Sequence, residues 1–142
     1  MSLVLALMAV LVLGWAAVSD VRSLTIPNSL VIALAALALV NALIAGSLDA
    51  LGWVGCLGCL IIGIILWKAK IIGAGDVKLA AAALLWLPGQ VIDFLFLTAI
   101  LGGLVSLVYL VKGRIVKKKA KQIPYGLPLS IATVALMALA RF

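Results

Sequence analysis

Residues 3–20 read LVLALMAVLVLGWAAVSD: seventeen residues without a charge, then an aspartate. A run that apolar approaches the ~20 residues an α-helix needs to cross a bilayer. The pattern repeats along the chain, with further apolar runs at 29–47, 51–67, 71–87, 91–111 and 127–140. Of the 142 residues, 68% are hydrophobic, and the mean hydropathy is +1.42. Soluble domains run near half apolar, so an ordinary soluble fold is excluded. The expected fold is all-α: a polytopic membrane protein with six transmembrane helices. Residues 1–142 are expected to form a single membrane-embedded domain with no soluble domain. The first run has no basic n-region and no convincing cleavage site, so it reads as a retained helix rather than a signal peptide.

The net charge is +7, from 11 Lys and Arg against four acids, all Asp. On a soluble protein this balance would suggest nucleic acid. Here the cations sit between apolar runs, where they set topology and touch anionic lipid headgroups, and no nucleic-acid partner is expected. Alternate connections differ sharply. Arg22, then Lys68, Lys70 and Lys78, then Lys112, Arg114, Lys117, Lys118, Lys119 and Lys121 account for ten of the eleven cations. The opposite connections, around Asp49 and residues 87–91, hold none, and Arg141 is the eleventh. The positive-inside rule puts the basic connections in the cytoplasm and both termini outside. Asp20 and Asp76 then share the cytoplasmic side, while Asp49 and Asp93 fall on the outer one.

The fourth run opens Ile71-Ile72-Gly73-Ala74-Gly75-Asp76-Val77-Lys78. A helix from Val77 to Leu87 would measure only about 16 Å, too short to cross. A crossing segment must begin near Ile71, which places Asp76 below the membrane surface. A carboxylate there is a functional candidate, and two glycines before it permit irregular backbone lining a wet cavity. The plainer reading is a cytoplasmic turn with Asp76 as a helix N-cap. Asp20 ends the first run, where the negative end of the helix dipole makes it poorly placed for stability. Arg22 and Lys78 each lie two residues from an aspartate, on a different helix face, and so do not neutralise it.

Two carboxylates at one membrane face can hydrolyse a peptide bond with activated water. One, ionised, takes a proton from water; the other, protonated, donates to the carbonyl oxygen. Rival chemistries are poorly supplied. There is no His for a Ser or Cys triad and no phosphate-binding loop. Cys56 and Cys59 form a single C-x2-C inside an apolar run, which reads as helix packing rather than half a zinc site. Gly55, Cys59 and Gly63 form a small-residue stripe at i+4 that lets helices approach closely. Neither a metal nor a cofactor is expected.

Three segments in order resemble the prepilin peptidases, the GxGD membrane aspartyl proteases. Gly73-Ala74-Gly75-Asp76-Val77-Lys78 looks like their GxGD motif. Asp20-Val21-Arg22 with Thr25-Ile26-Pro27-Asn28 looks like their first-aspartate segment. Ile123-Pro124-Tyr125-Gly126-Leu127-Pro128 is similar to their segment before the last helix, although Leu127 separates Gly126 from Pro128. The resemblance implies an inner-membrane endopeptidase that removes the leader from type IV pilin-like precursors at the cytoplasmic face. Asp20 and Asp76 would be its catalytic pair, with Gly73, Gly75, Pro27, Asn28, Pro124, Tyr125 and Gly126 as supporting motif residues. The short form is similar to the peptidases of tight-adherence, or Flp-type, pili. The cytoplasmic insert with paired C-x2-C motifs, which accompanies methyltransferase activity in larger members, is missing here. Precursors of this class carry a Glu soon after the cut. Arg22 and Lys78 are the substrate-binding candidates for it, while Lys68 and Lys70 fit topology alone.

Two other classes compete. A proton- or ion-coupled transporter would also use intramembrane Asp, but it should show paired broken segments in two halves. A structural assembly subunit would leave both aspartates incidental. Within the peptidase reading, helix ends suggest who holds the proton. Asp20 faces a helix C-terminus and Asp76 a helix N-terminus, so Asp20 is expected to be protonated and Asp76 to be the base.

Overall fold

The computed structural model describes residues 2–46, 50–70, 72–116 and 125–140. Asp49, Ile71, Lys117, Lys118, Lys119, Lys121, Ile123, Pro124 and Arg141 lie outside the described residues. Among the described residues six α-helices follow one another: α1 (Leu3–Ser23), α2 (Asn28–Ala45), α3 (Ala50–Lys68), α4 (Ala74–Leu84), α5 (Val91–Val116) and α6 (Gly126–Leu139). Three are long and apolar enough to cross a membrane: α1, α2 and α5 over Val91–Val111. α3 and α6 are shorter apolar helices. The outward faces carry large apolar side chains, among them Leu11 and Trp15 on α1, Ile61 on α3 and Phe96 on α5. In water such faces would be costly; against lipid they are the ordinary solution.

α4 departs from the sequence reading. The apolar run at 71–87 suggests a crossing helix, but the helix covers only 11 residues, Ala74–Leu84. At 1.5 Å per residue that is about 16 Å, roughly half the ~30 Å hydrocarbon core. It is also the most enclosed helix, with every residue from Leu79 to Leu84 buried. Ala80, Ala81, Ala82 and Ala83 explain both facts. Alanine is the best helix former, and four in a row make a thin rod that α2, α3 and α6 can surround. Its far end is pinned where the Trp86 indole N–H donates to the Leu34 carbonyl of α2 at 3.1 Å. Pro88 and Gly89, the latter at φ +75°, then turn the chain into α5.

The small-residue stripe on α3 does what its spacing suggests. Gly63 closes directly on the Val77 side chain of α4, and a Cβ at Gly55 would lie 2.8 Å from Val91 Cγ2. Cys56 is buried, Cys59 is half-buried, and both are free thiols. They pack between helices, as expected of small residues at such a contact. α6 lies against α1, α4 and α5, and α1 also packs on α2. The bundle therefore brings the last turn of α1, the first turn of α4 and the first turn of α6 to one end.

Candidate active site

α1 continues past Asp20 to Ser23, so Asp20 sits in the last turn rather than after it. The helix closes at Leu24, whose left-handed φ of 53° lets its N–H donate to the Asp20 carbonyl at 2.8 Å. A non-glycine residue in that region is uncommon and carries strain of order 1 kcal/mol. Hydroxyls hold the corner. Ser23 Oγ donates to the Ser19 carbonyl at 2.7 Å and shares a 2.9 Å hydrogen bond with Thr25 Oγ1, while Ser19 Oγ donates to the Thr25 carbonyl at 2.9 Å. Ser19 and Ser23 carry no site expectation from sequence, and Thr25 enters there only within the first-aspartate segment. Their clustering at a helix end is the available signal, because such side chains compete for backbone groups there.

The Asp20 side chain is buried at 5% exposure. Its partner comes from the far end of the sequence: the Gly126 N–H, at the start of α6, donates to Asp20 Oδ2 at 2.7 Å. Asp20 thus meets the positive end of α6 in space, although it lies at the negative end of its own helix. Gly126 must be glycine for this approach. A Cβ there would stand 2.8 Å from Asp20 Oδ2 and 3.0 Å from Asp20 Cβ.

Asp76 is half-buried in the first turn of α4, outside the three membrane-length helices. Burial is the main cause that lifts its carboxyl from the ordinary 3.8 to about 7. The charge of Asp20 lifts it further, and a hydrogen bond with the Gly73 backbone opposes the rise. Asp20 and Asp76, 56 positions apart in sequence, therefore sense each other electrostatically. The helix-dipole argument expected the proton on Asp20. The fold adds an opposing influence, because α6 delivers an N–H to Asp20 that favours its charged form.

Gly73 and Gly75 serve space rather than irregular backbone. Gly73 has φ −71° and Gly75 is helical, so neither uses a glycine-only conformation. A Cβ at Gly73 would press on Asp76 Oδ2 at 2.9 Å, and one at Gly75 would meet Ile26 Cβ at 3.3 Å. The GxGD-like stretch and the segment after Asp20 are thus in direct contact. Pro27 precedes α2 with φ −60°. Asn28, the first residue of α2, accepts from Lys78 Nζ at 3.1 Å through Oδ1. Lys78 and Arg22 are both exposed. Lys78 is thereby tied to the corner behind Asp20 rather than to the adjacent Asp76.

Tyr125 caps the start of α6 and rests on α5. Its hydroxyl shares a 3.3 Å hydrogen bond with Ser106 Oγ, and a Cβ at Gly102 would lie 3.1 Å from its ring. No sequence signal marked Gly102 or Ser106, since their role depends on where α6 docks.

A family model described as the type IV leader peptidase family matches residues 7–107. The chain belongs to that family. The match covers Asp20, Arg22, Pro27, Asn28, Gly73, Gly75, Asp76 and Lys78, while Tyr125 and Gly126 lie beyond it. Comparison with curated proteins and with solved structures gave no match. Family membership supports a leader-peptidase role in general, and with the apolar helices it indicates a membrane protein.

Proposed function

We propose that this leader peptidase is an aspartic enzyme with Asp20 and Asp76 as its catalytic dyad, acting on type IV pilin-like precursors of the Flp type. The observation that carries the reading is that Gly75, the neighbour of Asp76, lies against Ile26 of the segment after Asp20, which brings an acid from α1 and an acid from α4 to one end of the bundle. Near neutral pH one of two such groups keeps a proton. In the proposed cycle Asp20 takes a proton from water as the water oxygen bonds to the peptide carbonyl carbon. Asp76 donates its proton to the carbonyl oxygen. As the tetrahedral species collapses, Asp76 takes back the proton of the hydroxyl that becomes the new carbonyl, the C–N bond breaks, and the proton held on Asp20 goes to the leaving amine.

The cytoplasmic face is the proposed side of cleavage. Arg22, Lys68, Lys70 and Lys78 lie near the dyad in sequence or at the same chain connections, and the positive-inside rule assigns these to the cytoplasm, with both termini opposite. Reporter fusions after Lys119 and after Asp49 should give opposite signals; a cytoplasmic signal at Asp49 would overturn the orientation. Methyl transfer is not proposed, because the insert that accompanies it in larger relatives is missing.

The deciding experiment is precursor cleavage in membranes by wild type, Asp20→Asn and Asp76→Asn. Asparagine keeps the shape and removes the ionisation. Both variants should insert normally and fail to cleave. Full activity in either one ends the dyad reading.

A further inference from the structure

We infer that Tyr125, seated on Gly102 and Ser106 of α5, is a positioning residue that holds the Gly126 N–H against Asp20. The inference rests on the dyad reading for its effect on rate, while its geometric content stands by itself. Three observations carry it. Asp20 Oδ2 receives its 2.7 Å hydrogen bond from the residue immediately after Tyr125. Tyr125 is the N-cap of α6, yet no side chain caps that end by a hydrogen bond. The end is held instead through the Tyr125 side chain. Gly102 and Ser106 stand at i and i+4 on one face of α5. One leaves room for the ring, with a Cβ position 3.1 Å away, and the other bonds the hydroxyl at 3.3 Å.

The physical sense is leverage. Tyr125 is 37% exposed and is not packed on all sides. Pro128 and Leu129 keep the first turn of α6 buried, and without the tether its leading end at Gly126 can shift by a few tenths of an ångström. A backbone N–H cannot change rotamer to follow its partner, so the short hydrogen bond to Asp20 would lengthen and weaken. α5 carries its one acid, Asp93, in its first turn, away from this seat.

The test uses the full chain reconstituted in lipid nanodiscs, comparing wild type, Ser106→Ala, Tyr125→Phe, the double variant and Ser106→Thr. Losing one neutral hydrogen bond should lower kcat by about 2- to 10-fold with KM unchanged. The two single variants delete the same bond, so the double variant should be no slower than the slower single one. Ser106→Thr keeps the hydroxyl and should restore the rate. A separate readout needs no activity: hydrogen exchange at the Gly126 amide, followed by NMR, should accelerate in both single variants. Unchanged exchange overturns the inference, as do losses that multiply in the double variant. If wild type cleaves no pilin-like precursor, the proposed function fails, and the amide exchange still decides whether Tyr125 holds Gly126.

Discussion

Replacing Gly126 by alanine would place a carbon 2.8 Å from Asp20 Oδ2 and 3.0 Å from both its Cβ and its Cγ. Carbon contacts relax at about 3.5–4.0 Å, so α1 and α6 must separate by about 0.5–1 Å. That movement stretches the 2.7 Å bond from Gly126 N–H to Asp20 Oδ2 to about 3.2–3.7 Å, at or past the limit of a hydrogen bond. A hydrogen bond to a charged group is worth about 1.5–3 kcal/mol. If that loss falls on the step in which Asp20 acts, kcat drops roughly 10- to 150-fold. Overpacking adds a stability cost of about 1–3 kcal/mol. The assay is precursor cleavage at saturating substrate, with thermal unfolding in the same membrane mimic. Gly103→Ala is the control. A Cβ there meets nothing within 4 Å, so this variant should cleave normally and gain slightly from helix propensity. Gly126→Ala cleaving at the wild-type rate would refute the claim that this N–H serves Asp20.

The Asp76 carboxyl, raised to about 7, gives a pH prediction with a definite sign. Activity that needs one shared proton should fall as pH rises through about 7. Between about 4 and 7 the folded chain holds a proton that the unfolded chain has lost, so this group's contribution to stability declines as pH rises through that window. Asp76→Asn should lack the decline and be the more stable protein at pH 8; a variant less stable there would contradict the assignment. Gly63→Val should push α3 off Val77 and destabilise the bundle by about 1–3 kcal/mol. Val77→Ala in the same chain should recover part of that loss, and no recovery would mean the contact is not the cause. For substrate choice, Lys78→Gln should abolish any preference of the enzyme for a precursor with Glu after the cut over one with Gln. Asn28→Ala should weaken that preference by freeing Lys78 Nζ. Discrimination unaltered in Lys78→Gln and Arg22→Gln alike would remove both from substrate recognition.

Much was legible from residue order alone. The apolar run at 3–19 and its repeats required membrane helices, because no other element satisfies its own backbone in lipid. The stripe Gly55, Cys59 and Gly63 announced a close helix contact through its i+4 spacing, which is a local property. Asp20 and Asp76 could be singled out because a carboxylate at a membrane boundary is costly. What pattern could not supply is which elements meet. Local sequence placed Asp20 at an unfavourable helix end, and only the docking of α6, 106 residues further on, brings it a backbone N–H. The same docking opposes the helix-end effect at Asp20 and seats Tyr125 on Gly102 and Ser106. Local reading also took 71–87 as a crossing segment, since apolar runs look alike whether lipid or protein covers them. The enclosure of α4 by α2, α3 and α6 decides that difference, because a helix wrapped by protein need not match the thickness of a bilayer.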